Sequence, residues 1–141
     1  FPLGACMSTN KACVAMTKGS HGSTYGGNPL AMSVGIEVLK FISNKTFLSK
    51  VDKTARYFWK NLKKLENTSN IISEVRGAGL LLGIKTNISN IDFSEKLKKN
   101  KLLNVPAADN TVRLAPPLIV SYKEIDKSIT IIKKTLKELS R

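Results

Sequence analysis

The clearest signal along the chain is a set of apolar stripes at helical spacing. Phe47, Val51, Ala55, Phe58, Leu62 and Leu65 recur every three or four residues with lysines on the opposite side, which predicts an amphipathic surface helix from 47 to 65. Ile125, Ile129, Ile132, Leu136 and Leu139 mark a second such helix, opened by Ser121 and Glu124 in capping-box spacing. The stripe is too short for a coiled coil and suits a helix laid on a sheet. Residues 28–43, NPLAMSVGIEVLKFIS, have Asn28 as N-cap and Pro29 at the first helical position, but their apolar residues fall on most faces. A largely buried helix is expected there. Between the stripes the period changes. Ile71–Arg76 and Leu80–Ile84 read as strands joined through Gly77-Ala78-Gly79. A short helix starts at Asn90 or Asp92 and ends near Lys101, with Glu95 three residues after Asp92 as a capping box. LLNV at 102–105 and TVRLA at 111–115 read as strands separated by Pro106 and a polar turn at Asp109-Asn110. This order predicts an α+β fold with helices on a small, mainly antiparallel sheet. Internal repeats and low-complexity segments are not evident.

Composition narrows the class. At 141 residues with 42% hydrophobic and 23% charged positions, the chain can bury a core without disulfides or metals. Cys6 and Cys13 have no CxxC spacing and no histidine at ligand distance, so both read as small buried hydrophobes. No apolar run approaches a membrane span and the start lacks a signal-peptide layout, so a cytoplasmic, reducing setting is expected. The net charge of +13 raises the question of nucleic acid or an anionic membrane. Nearly all the excess is lysine, with four arginines, and it concentrates on helical faces at Lys60, Lys63 and Lys64 and at Lys96, Lys98, Lys99 and Lys101. Stacking aromatics and a base-reading element are missing, so neither nucleic acid nor a membrane is expected as a partner.

Several motifs fail on inspection. Gly77, Gly79 and Gly83 miss the dinucleotide fingerprint because its third glycine falls on Leu82. Gly22 to Gly27 has Walker spacing but continues into Asn28 and Pro29. His21 is the single histidine and no serine sits in a nucleophile elbow. Two features survive. The stretch Lys18–Gly27 runs into a helix N-terminus with hydroxyls at Ser23 and Thr24, which suits a phosphate but also describes a plain surface loop. Arg113 alternates with apolar neighbours just before Pro116-Pro117, so it either meets an anion such as a carboxylate or is an exposed edge-strand arginine.

Four strings resolve these alternatives by resemblance. Phe1-Pro-Leu-Gly-Ala5, HGSTYGGNPL at 21–30, Val75-Arg-Gly-Ala-Gly-Leu80 and Val112-Arg-Leu-Ala-Pro-Pro-Leu118 resemble, in order and spacing, the last third of class III pyridoxal-phosphate aminotransferases, most closely the acetylornithine and ornithine branch. The resemblance implies the C-terminal part of a fold-type I architecture: 1–27 ending the large cofactor domain, helix 28–43 crossing between domains, and 44–141 forming the small C-terminal domain. It implies that Thr24, with Ser23 beside it, reaches the pyridoxal 5'-phosphate of the neighbouring subunit in a homodimer. It gives Arg113 the carboxylate of glutamate or 2-oxoglutarate and makes Arg76 part of a structural turn. Catalysis is assigned to none of these residues. The family's cofactor-bearing lysine, its aspartate for the pyridine nitrogen and its stacking aromatic belong to segments upstream of Phe1, and Lys11 and Lys18 sit at the wrong places to substitute. The expectation is an aminotransferase of arginine biosynthesis whose isolated 141-residue part is inactive and poorly soluble. A non-catalytic remnant that folds or dimerises is the alternative.

Overall fold

The computed structural model describes residues 1–140. They form two compact units, Phe1–Phe47 and Leu48–Arg141. The first holds a short 3-10 turn at Ala12–Ala15 and helix α1, Pro29–Ile42. Asn28 caps α1 as expected, its Oδ1 accepting from the amides of Leu30 (3.0 Å) and Ala31 (3.2 Å). The expected burial of α1 is not found. Ala31 is its one buried residue, while Leu30, Met32, Ile36, Val38, Leu39 and Phe41 are exposed. A helix that is apolar on most faces needs partners on most sides, and the first unit supplies few, among them Leu3 beside Gly35. The reading of the cysteines fails similarly, with Cys6 exposed and Cys13 half-buried, because the segment around them packs against little.

The second unit is built on helices α2 (Lys45–Glu66), α3 (Asn90–Lys99) and α4 (Tyr122–Leu139) and on strands β1 (Ile72–Ala78), β2 (Leu81–Thr86), β3 (Val105–Ala107) and β4 (Thr111–Leu114). The strands form one antiparallel sheet in the order β1-β2-β4-β3. Leu82 and Ile84, Val112 and Leu114 alternate into the core, where they meet Phe58 and Leu62 of α2, Phe93 and Leu97 of α3, and Ile125, Ile129, Ile132 and Leu136 of α4. All three helices therefore contribute to one core on one face of the sheet. Ile72 and Val75 both turn inward although they are three apart, because a register shift between Ile72 and Glu74 adds the residue that restores parity.

Three sequence-based boundaries move. The first hairpin turns over Gly79 and Leu80 alone, with Gly79 at φ +56° in the first turn position, so β1 runs through Gly77 to Ala78. Helix α3 is capped by Ser89, whose Oγ accepts from the amide of Asp92 at 3.3 Å, and an Asp92–Glu95 box is not formed. The strand expected at 102–105 starts instead at Val105 and includes Pro106. Proline is tolerated because β3 is the sheet edge, where an amide on the outer side has no ladder partner to lose. The box at Ser121 and Glu124 is present in both directions.

Candidate functional site

Arg113 lies in β4, on the face of the sheet away from α2, α3 and α4. Its neighbours Val112 and Leu114 are fully or nearly buried, which fixes the strand and turns the arginine outward. Cross-strand partners share a face, so the registers Arg76↔Gly83 and Gly83↔Arg113 put Arg76, Gly83 and Arg113 in one row, with Val105 completing it on β3. The open face also carries Leu81, Glu74, Lys85 and Thr111.

The charges on this face are unequally matched. Arg76 pairs with Asp109 at 2.7 Å and Glu74 at 3.6 Å and donates to Thr111 Oγ1 at 2.9 Å. Lys85 holds the other Asp109 oxygen at 2.8 Å. The bonds from Lys85 and Arg76 keep the Asp109 carboxyl below its ordinary range. Elsewhere Arg56 pairs with Asp52. Among the described residues, Arg113 makes no ion pair. A guanidinium with five donors, no counter-charge and a rigid strand beneath it is suited to a bidentate carboxylate.

Ser23 and Thr24 belong to the other unit, in an exposed turn closed by Gly26 N donating to Ser23 O at 3.0 Å. Their hydroxyls make no hydrogen bond among the described residues and can donate outward. The helix end beside them is less available than the sequence suggested. Pro29 has no amide hydrogen and Asn28 already occupies the amides of Leu30 and Ala31, so a phosphate bound here would depend on hydroxyls and loop amides. Those donors still fit a dianion. His21 is exposed.

A cleft of about 360 Å³ lies behind β4, lined by Phe58, Leu114, Pro116, Pro117, Val120 and Ile125 among others. Its charged residue is an acid, Glu124, so the cleft offers a carboxylate no positive charge. No cluster of metal ligands and no helix long and apolar enough to cross a membrane occurs among the described residues.

The family described as Aminotransferase class-III matches residues 1–136. The chain belongs to the class-III aminotransferases. It is 42% identical over 141 residues to the acetylornithine aminotransferase of Agrobacterium fabrum, covering 99% of this chain and 35% of that protein. It is 39% identical over 140 residues to the ornithine aminotransferase of Plasmodium falciparum, covering 97% and 34%. The crystal structure of acetylornithine aminotransferase from Elizabethkingia anophelis superposes with a TM-score of 0.74 at 35% identity, over 86% of this chain and 33% of that one. The chain thus spans about a third of the length of the aminotransferases it matches.

Sequence reading missed one participant of this aminotransferase face. The pattern ends a strand at Arg76 and the resemblance makes it part of a structural turn, yet it stands inside β1 and reaches over β2 to Thr111 of β4. The available signal was parity alone: a charged residue next to the inward-facing Val75.

Proposed function

We propose that the chain is the C-terminal part of a pyridoxal 5'-phosphate-dependent aminotransferase of the acetylornithine type, acting in the cytoplasm in arginine biosynthesis. In this reading 1–27 ends the cofactor domain, 28–43 is the interdomain helix and 44–141 is the small domain. The names of its relatives support the amino donor, N-acetylornithine or a related ω-amine; 2-oxoglutarate is the acceptor in this reading. The observation that carries the reading is the uncompensated guanidinium of Arg113 on the open sheet face. Its planar fork takes the α-carboxylate of glutamate or 2-oxoglutarate and fixes the acid's orientation. Ser23 and Thr24 donate to the cofactor phosphate of the neighbouring subunit in a homodimer. When bound, the cofactor supplies the electron-withdrawing ring through which an amino group is exchanged for a keto group. The 141 residues alone are inactive, since no residue among them is assigned to the proton transfers.

The test uses Arg113→Ala in an enzyme completed with the upstream part of a relative. KM for glutamate and 2-oxoglutarate should rise on the order of tenfold or more with cofactor affinity unchanged. Equal loss of both would return Arg113 to a structural role. Robust turnover by the 141-residue chain would overturn its assigned inactivity.

A further inference from the structure

Gly83 stands between Arg76 and Arg113 in their shared row, and it is the one position of that row without a side chain. The space above it is taken. A Cβ at Gly83 would lie 2.9 Å from the Thr111 methyl and 3.7 Å from Arg76 Cγ. The Arg76 stem therefore runs over the glycine toward β4, where Thr111 Oγ1 and the Asp109 carboxylate anchor its head. The anchor is itself fixed, because Thr111 Oγ1 donates to the Asp109 carbonyl at 2.9 Å and Lys85 holds the second carboxylate oxygen.

An arginine beside an empty glycine position lays its stem down on the bared backbone, covering apolar surface. Here that slot over β2 is already closed, by the Thr111 methyl from the β4 side and by the Arg76 stem from the β1 side, and the Arg76 bond to Thr111 Oγ1 ties the two together. We propose that Arg76 is a positioning residue for Arg113: its stem and the Thr111 methyl that its head holds in place together close the slot above Gly83, which keeps the Arg113 side chain off the sheet and its guanidinium free for a ligand. The inference rests on the reading of Arg113 as a carboxylate site, and it adds that the site depends on a residue that touches no substrate. Lys85, Glu74 and Asp109 complete the charged surroundings of Arg76, so its own charge is largely matched and its contribution is bulk in the right place.

The experiment follows the Arg113 Nε–Hε signal by NMR in the full 141-residue chain, with 2-oxoglutarate as the added probe. In Arg76→Ala the slot loses its cover on the β1 side and Thr111 loses the donor that holds it, so Arg113 Hε should gain contacts to the Gly83 Hα protons while 2-oxoglutarate binding weakens on the order of threefold or more. Arg76→Gln keeps most of the stem and removes the charge; it should leave Arg113 in place and binding close to that of the parent chain. If Gln weakens binding as much as Ala, the effect is electrostatic and the proposal fails. It also fails if Arg113 keeps its contacts in Arg76→Ala. Should that variant not fold, Arg76→Thr, which also removes the stem and the head but suits a strand, decides in the same way. If Arg113 moves in Arg76→Ala but Arg113→Ala leaves KM for 2-oxoglutarate unchanged in the completed enzyme, the positioning stands and the carboxylate reading falls.

Discussion

Asn110 and Thr86 are bonded in both directions: the Thr86 amide donates to the Asn110 carbonyl at 3.0 Å, and Asn110 Nδ2 donates to the Thr86 carbonyl at 2.6 Å. The same Nδ2 reaches the Ile88 carbonyl at 2.7 Å, and Oδ1 accepts from the Asn90 amide at 2.9 Å. One side chain thus ties the end of β2 and the start of α3 to the β3–β4 turn, from a left-handed backbone at φ +47° that asparagine tolerates. Asn110→Asp keeps shape and conformation but turns the donor into an acceptor facing two carbonyls. It should destabilise the second unit by about 2–4 kcal/mol, and Asn110→Gly, which keeps the backbone easy but loses the bonds, by about 1–3 kcal/mol. Urea unfolding of both variants checks the order; equal losses would mean the backbone conformation matters more than the bonds.

Gly77 and Gly79 lie two residues apart and should respond differently to alanine. At Gly77, φ is +140° and a Cβ would fall 2.1 Å from the Leu81 carbonyl oxygen, so Gly77→Ala should cost several kcal/mol, about 3 or more. At Gly79, φ is +56° with open space around it, and alanine should cost only about 1–2 kcal/mol. Melting temperatures of the two variants provide the comparison, and a larger loss at Gly79 would refute the geometry.

Ser94 presents the reverse case. It is 0% exposed and its Oγ has no partner among the described residues, so the fold leaves a buried hydroxyl unsatisfied. Ser94→Ala should be neutral or stabilising by about 1 kcal/mol. A clear loss in equilibrium unfolding would show that the hydroxyl is bonded in solution.

Acid should weaken the second unit. Lys85 and Arg76 lower the Asp109 carboxyl, Asn100 and Lys96 lower Glu138, and Ser121 lowers Glu124. At Glu66 burial pushes upward, but the Lys63 ammonium and the Val75 amide together outweigh it. Folded values below the unfolded ones mean stability that is complete above the ordinary carboxylate range and lost as pH falls through it toward the lowered values. Unfolding free energy measured from pH 7 downward should stay level to about pH 5 and then decline. Asp109→Asn should flatten part of that decline; an unchanged slope would remove Asp109 from the linkage.

Tyr57 donates to the Asp126 carboxylate at 2.5 Å, joining α2 to α4, and this bond raises its phenol above the usual tyrosine value. Asp126→Asn should bring it back down, which ultraviolet titration of the phenolate would reveal; no movement would mean the bond is absent in solution.

Much of the fold could be read because it depends on periods. The stripes of α2 and α4 and the Ser121 box emerged as expected, since three- and four-residue spacing records which face meets the core. What escaped reading depends on partners distant in sequence. The burial of α1 was inferred from its own composition, whereas exposure is decided by how much chain surrounds it. Pro106 looked like a break because nothing local says that β3 is an edge. Asp109-Asn110 was recognised as a turn, but the bonds of Asn110 to Thr86 and Ile88 link positions more than twenty apart, beyond any local pattern. At the site, Arg113 stood out by alternation. Arg76 did not, because its role needs Gly83 opposite it, and strand register is not written in either segment alone.

The one-sided layering of the second unit has an evolutionary consequence. Leu81, Val105 and Arg113 sit on the face that α2, α3 and α4 leave uncovered, so substituting them removes nothing from the core formed by Leu82, Ile84, Val112 and Leu114 with those helices. What this surface meets and what holds it up are mutationally separable, and new specificities can be explored on β2, β3 and β4 with little risk to folding.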